Sequence, residues 1–398
     1  MKRLIGVVRM SAAVIGILAS GGLFIRAAAA QDMPDLITLG QKLKITSKIL
    51  NETREVWIGL PSGYENTQAR YPLLIQLGGA AHFPYSAAIV DVLSRNDHMP
   101  RMIVAAVIDP TPMHHYRDST PTRVDYLPAS GGAPQFLRFL KEELIPTLEA
   151  GFRTQPFRIL CGHGLSGLFA VYALMESPDT FGAYITDGAS LTYDGSALLK
   201  DMEARLADPR LRGSLFLGVG NELETVTGIQ EMAGLLAKKA PRGLQWKIGI
   251  EQDEDQGTAS LPVFYKGLKW IYRDWRLPVE VSVQGIAAVK KYYESLSDKF
   301  GYELPVTEST LSVRGFQLIR EQRFEDAAAV FKLNATTYPD SPNVYHNLAF
   351  LFERLKQWDQ AAAYYEKAGE KAGAAQPDLA KFFRMQAEQA KGRIKKSP

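Results

Sequence analysis

Four short apolar runs, each ending on a residue that stops a strand, limit what this chain can fold into more than any other feature. They read YPLLIQLGG (71–79), RMIVAAVID (101–109), FRILCGH (157–163) and SLFLGVGN (214–221). Because they are apolar at nearly every position, they suit strands buried on both faces, which occur where helices cover a sheet on both sides. Helical patterns lie between them, over Ala87 to Leu93, Pro134 to Ala150, Leu168 to Met175 and Ile229 to Lys239. The alternation predicts an α/β domain with a mostly parallel central sheet. Ahead of it, ITSKILNETREVWIGL (45–60) turns about Asn51 and Glu52 and predicts an opening β-hairpin.

Beyond Pro278 such runs stop and a helical repeat begins. Phe324, Ala327, Ala328 and Phe331 recur as Trp358, Ala361, Ala362 and Tyr365, and Leu311 and Leu318 recur as Tyr345 and Phe352, always 34 residues on. That is the tetratricopeptide period, in which alanines let paired helices approach and large residues fill the groove between neighbours. The spacing predicts repeats at about 308–341 and 342–375 and a capping helix over 378–394. The domain boundaries expected are therefore 35–278 for the α/β part and 281–398 for the all-α part.

Residues 1–30 differ in kind. Lys2, Arg3 and Arg9 flank the apolar run MSAAVIGILASGGLFI, and Ala27 to Ala30 supply small residues before Gln31. This is the pattern of a secretory signal peptide, shorter than the roughly 20 apolar residues of a membrane span. The expectation is an exported chain, periplasmic or secreted, with no membrane span after cleavage. The whole chain carries 46 basic and 43 acidic residues, but four of the bases (Lys2, Arg3, Arg9, Arg26) lie in this segment, so the remainder is close to neutral. Near-neutrality excludes nucleic acid as the expected partner, and the basic tail KGRIKKSP reads as a solvated end. The only cysteine, Cys161, falls in an apolar strand and is expected to pack inertly.

The stretch ILCGHGLSGLFAVYAL (159–174) is a strand, a glycine-rich turn and a helix, the layout of a nucleophile elbow. An elbow needs serine at the turn with glycines two residues to either side. Gly162 is the first glycine, but Gly164 occupies the serine position and Ser166 the second glycine position. Two residues along a helix is about 3 Å of rise and about 200° of rotation. Ser166 is accordingly expected to face away from the pocket and to satisfy backbone groups in the first helical turn. It remains the fallback nucleophile. Among the histidines, the pair His114 and His115 is expected in a solvated loop and His82 in a surface loop at the pocket mouth. GVGNE lacks the third glycine of a dinucleotide fingerprint. No ligand set with metal spacing follows, so neither metal nor cofactor is expected.

YRDSTPT (116–122), SGGAPQFLRFLKEELIP (130–146), RILCGHGLSGLFAVYAL (158–174) and PDTFGAYITDGASL (178–191) resemble the esterase family that includes enterochelin esterases and the esterase-D group. The resemblance covers roughly Leu43 to Trp275. It implies an α/β-hydrolase fold with a serine, histidine and acid triad, and fusion to tetratricopeptide repeats resembles an arrangement known within that family. In the family the elbow reads GHSxGG. The family's histidine lies in a stretch to which EDQGTASLPVFYKGLKWIY (254–272) is similar, with Gln256 at the histidine position. By the resemblance, Glu222 or Glu224 in GVGNELE stands at the acid position, and spacing does not choose between them. YPLLIQLGGAAHF is similar to a family strand and loop ending LDGxxHF, with Gly78 in place of the aspartate; the amides of Gly79 and Leu165 are the candidate oxyanion donors. His163 is implied to be a structural neighbour of the elbow and not a base.

Both the nucleophile and the base positions are therefore degenerate. Glutamine has no titratable nitrogen and can neither take nor return a proton. The function expected is a catalytically silent esterase frame that binds a small ester-like ligand, with the repeats recruiting a protein or peptide. The alternative is an active carboxylic-ester or acyl hydrolase using Ser166 or another serine with a histidine from elsewhere. The silent reading predicts that no serine hydroxyl meets an imidazole nitrogen above the central strands.

Overall fold

The hairpin that opens the sheet is formed by β1 (Gln41–Ser47) and β2 (Glu52–Gly59) about a left-handed Asn51. The computed structural model describes residues 38–282 and 284–394, so the expected signal segment, residues 1–30, lies outside the described residues. The four apolar runs become β3 (Tyr71–Gln76), β4 (Ile103–Val107), β5 (Thr154–His163) and β7 (Gly213–Val219). Two further strands, β6 (Ala183–Asp187) and β8 (Leu244–Ile250), complete one sheet ordered β1-β2-β4-β3-β5-β6-β7-β8. Strands β3 to β8 run parallel, and β2 is antiparallel to both its neighbours. The sequence pattern misses β8 because it is an edge strand, in which exposed Gln245 alternates with buried Leu244 and the apolar signal is halved.

The chain leaves β3 on one side for β4 and returns to its other side for β5, so the strand order reverses there. Ligands of open α/β sheets bind at the carboxyl ends of strands beside such a reversal. The connecting helices are α1 (Gly79–Arg95), α2 (Pro112–Ser119), α3 (Ala133–Phe139), α4 (Ile145–Gly151), α5 (Leu165–Glu176), α6 (Tyr193–Arg205), α7 (Leu223–Lys239) and α8 (Ser260–Ile271). The helix expected over Pro134 to Ala150 forms, but a π-turn at Leu140–Leu144 separates α3 from α4. Pro146 explains it: its ring would clash with the carbonyl one turn earlier, and the ladder widens instead, with Ile145 N–H donating to Leu140 O.

Two apolar layers sandwich the sheet. Phe136, Leu144, Leu168 and Phe169 fill one, while Phe83, Val90, Val263 and Phe264 fill the other. The second layer continues without a break into the C-terminal helices through Leu296, Phe300 and Leu311. Those helices are α9 (Val279–Ser282), α10 (Ile286–Phe300), α11 (Glu308–Arg320), α12 (Phe324–Thr337), α13 (Pro342–Arg354), α14 (Trp358–Ala372) and α15 (Pro377–Ile394). The α11 and α12 helices pack through a close approach at Gly315, where a β-carbon would lie 2.1 Å from the Phe331 ring. Ala327 and Ala361 are fully buried. The Phe300 ring sits 5.0 Å from both Phe157 and Tyr272, and Ser309 Oγ donates to Asp97 Oδ2 at 2.9 Å. From Leu39 onward the sheet and the helices pack as one unit. Among the described residues, no helix is long and apolar enough to cross a membrane.

Candidate functional site

The strand-to-helix turn between β5 and α5 carries the elbow geometry. Gly164 has φ 57° and ψ −119°, a conformation that costs a residue with a β-carbon on the order of 1–3 kcal/mol. Glycine adopts it freely. Gly162 is needed for a different reason: a β-carbon there would lie 2.1 Å from the Ser166 carbonyl oxygen. The turn is pinned to β6, since Gly164 N–H donates to Asp187 O at 2.9 Å.

Gln256 faces this turn. A β-carbon built on Gly164 would lie 3.9 Å from Gln256 Nε2, and nothing else comes within 4 Å of it. Gly164 and Gln256 thus stand opposite each other across open space. Glu222 Oε1 accepts the Gln256 backbone N–H, whereas Glu224 accepts from Thr192 Oγ1 at 3.1 Å. Of the two candidate acids, Glu222 is the one beside Gln256. The Gly79 and Leu165 amides head α1 and α5, where the first N–H groups of a helix have no intrahelical acceptor. Gly79 cannot be larger, because a β-carbon would sit 2.6 Å from Val107 O.

Ser166 differs from expectation. It is 2% exposed, and its Oγ lies 3.3 Å from Ser119 Oγ, so it caps no backbone group. Its hydroxyl is also 3.9 Å from where a β-carbon on Gly78 would stand, beside the oxyanion loop and not away from it. The cause is α2, which packs against the first turn of α5 and brings Ser119 into reach. No imidazole joins this serine pair among the described residues.

The histidines need correction as well. His114 and His115 lie on α2 and not in a solvated loop: His114 Nε2 is 3.2 Å from Glu52 Oε2 and His115 Nδ1 is 3.0 Å from Asp109 Oδ2. They border an ion cluster in which the fully buried Arg54 pairs with Glu52 and Asp118, and Arg117 reaches Glu52 at 2.7 Å. This cluster fixes α2 to β2. His82 belongs to α1, is half-buried and meets the Tyr85 hydroxyl through Nδ1 at 3.1 Å. Burial, with the neighbouring His163 second, lowers the His82 pKa to about 4. Burial likewise pushes the Tyr85 hydroxyl and the Cys161 thiol up.

The largest departure is His163. Its Nδ1 lies 2.7 Å from Asp187 Oδ2, and the same oxygen accepts from Ser260 Oγ, which itself stands 3.2 Å from Nδ1. A serine hydroxyl and an imidazole nitrogen do meet at the head of the sheet, contrary to expectation. They meet beside a small cavity of about 10 Å³, lined by Cys161, His163, Asp187, Ser260 and Phe264, which is far too little for an acyl substrate. Ser260 also approaches the nitrogen that Asp187 already occupies, and its proton is donated to the carboxylate. It is a fixed donor and not a poised nucleophile. Asp187 and Ser260 could not be found from sequence, since they lie 24 and 97 residues from His163 with no spacing rule to connect them.

With that geometry in view, the profile of the family described as "Putative esterase" matches residues 47–187. The chain is 28% identical over 174 residues to ferri-bacillibactin esterase BesA of Bacillus subtilis, a stretch covering 39% of this chain and 60% of that relative. A match of 76 residues at 32% identity to a siderophore triacetylfusarinine C esterase of Aspergillus fumigatus covers 19% of this chain and 26% of that one. The chain thus spans less than two thirds of the length of these curated relatives. An IroE-like serine hydrolase from Shewanella oneidensis superposes with a TM-score of 0.65 at 26% identity, over 75% of this chain and 99% of that one. A protein from Capnocytophaga ochracea shares the fold over 88% of this chain and 99% of its own, at 16% identity and a TM-score of 0.61. The sheet-forming part is therefore similar to esterase-family hydrolases.

Proposed function

We propose that this is an exported esterase-frame protein that has given up acyl-serine chemistry and binds an ester- or acyl-bearing ligand at the head of its sheet. The carrying observation is the pair Gly164 and Gln256: Gln256 Nε2 lies 3.9 Å from where a β-carbon on Gly164 would stand, with neither a hydroxyl nor an imidazole between them. The names of the relatives, a ferri-bacillibactin esterase and a siderophore triacetylfusarinine C esterase, support that ligand class. In this reading the C-terminal helices are tetratricopeptide repeats that hold a protein or peptide partner. The 34-residue recurrence and the alanine and glycine contacts between paired helices support it.

A second reading, an active serine hydrolase, has one observation in its favour, the contact of Ser260 with His163. The small volume beside this pair, about 10 Å³, and the occupied nitrogen count against it. A fluorophosphonate probe separates the two. The expected result is no labelling of the wild type and stoichiometric, heat-sensitive labelling of the Gly164→Ser, Gln256→His double variant. Labelling of the wild type that vanishes in Ser166→Ala or Ser260→Ala overturns the proposal.

A further inference from the structure

We propose that His163, held by Asp187, is a general base for direct attack of water on an ester bound at this site. The inference rests on the reading that no serine carries the acyl group, and it adds a reaction to what that reading treats as binding.

Three observations carry it. The first is orientation: Asp187 is an acceptor, so the 2.7 Å contact assigns the proton to His163 Nδ1 and leaves the lone pair on Nε2. Ser260 donates to the same carboxylate oxygen and fixes it. Among the described residues, Nε2 has no hydrogen-bond partner.

The second is access. The His163 side chain is 25% exposed, although the Asp187 side chain beneath it is 7% exposed. The imidazole edge opens toward the emptied triad: a β-carbon on Gly188 would lie 3.9 Å from both His163 Cε1 and Gln256 Cγ. Gln256 is also the nearest group to the vacant serine position, so one side chain borders both places. Its amide can hold a water without competing for the proton.

The third is the environment of charge. His82 lies beside His163, with ring centres 5.6 Å apart, and its lowered pKa keeps it uncharged near neutrality. The Leu165 and Gly79 amides at the heads of α5 and α1 are available to a developing oxyanion. The step balances as ordinary hydrolysis. The water oxygen bonds to the acyl carbon while His163 Nε2 takes its proton. The carbon–alkoxy bond then breaks and the same proton passes to the leaving alcohol, giving a carboxylic acid and an alcohol.

The test uses the full chain with 4-nitrophenyl butyrate, measured against the heat-denatured chain, together with fluorophosphonate labelling. The expected result is turnover without a burst and without labelling. His163→Ala, and the bulkier His163→Asn checked for folding by circular dichroism, should lower the chain-dependent rate by about 10²-fold or more. Added imidazole should restore part of the rate in His163→Ala only. Asp187→Asn should reduce kcat at little change in KM, the mark of a positioning residue. Turnover that is unlabelled but unchanged in both His163 variants, or no turnover above the denatured chain, overturns this inference and leaves the binding proposal standing. Turnover with stoichiometric labelling overturns both.

Discussion

The two halves of the sheet's head have fared differently. On one side stand Gly164 and Gln256 across open space; a few ångströms away His163, Asp187, Ser260, His82 and Tyr85 form a connected polar network. The difference teaches where a fold tolerates substitution. Exposed Gln256 strands no buried partner if it is changed, and glycine suits φ 57° at position 164. Removing a member of the buried network would strand its partners without water, a cost that rises steeply with burial.

The comparison can be broken most forcefully at the ion cluster that anchors α2. Asp118→Ala leaves fully buried Arg54 short of a carboxylate and should cost about 3–5 kcal/mol in urea unfolding. A loss below about 1 kcal/mol would mean that the buried half is no more constrained than the emptied one. Next, Gly162→Ala drives a methyl into the Ser166 carbonyl and should cost about 3 kcal/mol, read by thermal melting. His82 sharpens the contrast through pH. Its pKa falls from 6.5 unfolded to about 4 folded, so the unfolded chain binds more protons between those values. Stability is fully present above pH 6.5 and is lost as pH falls to about 4, by up to about 3 kcal/mol, and His82→Gln should flatten that slope. The smallest effects belong to the emptied half. Gly164→Ser should cost about 1–2 kcal/mol from its positive φ, and exposed Gln256→His should stay within about 0.5 kcal/mol.

These contrasts also show what could be read before the structure. The elbow was legible because Gly162, Gly164 and Ser166 act through fixed local spacing. The helical pairs were legible because Ala327 and Ala361 repeat at a set interval. Ser166 was misjudged by helical rotation alone, since the partner that reorients it, Ser119, sits on α2, a helix of only eight residues with a weak apolar pattern. The partners of His163 were missed for a related reason: Asp187 and Ser260 come from β6 and α8 and share no local signature. Glu222 and Glu224 could be separated only by the turn that carries the Gln256 backbone to one of them.

Phe300 meets Phe157 near the start of β5, whereas the elbow lies at that strand's far end, six residues on and about 20 Å away at strand rise. The C-terminal array is thus mounted like a handle on the base of the molecule, leaving the mouth uncovered. Whatever touches that handle therefore does so about 20 Å from the mouth, and the two places do not obstruct each other.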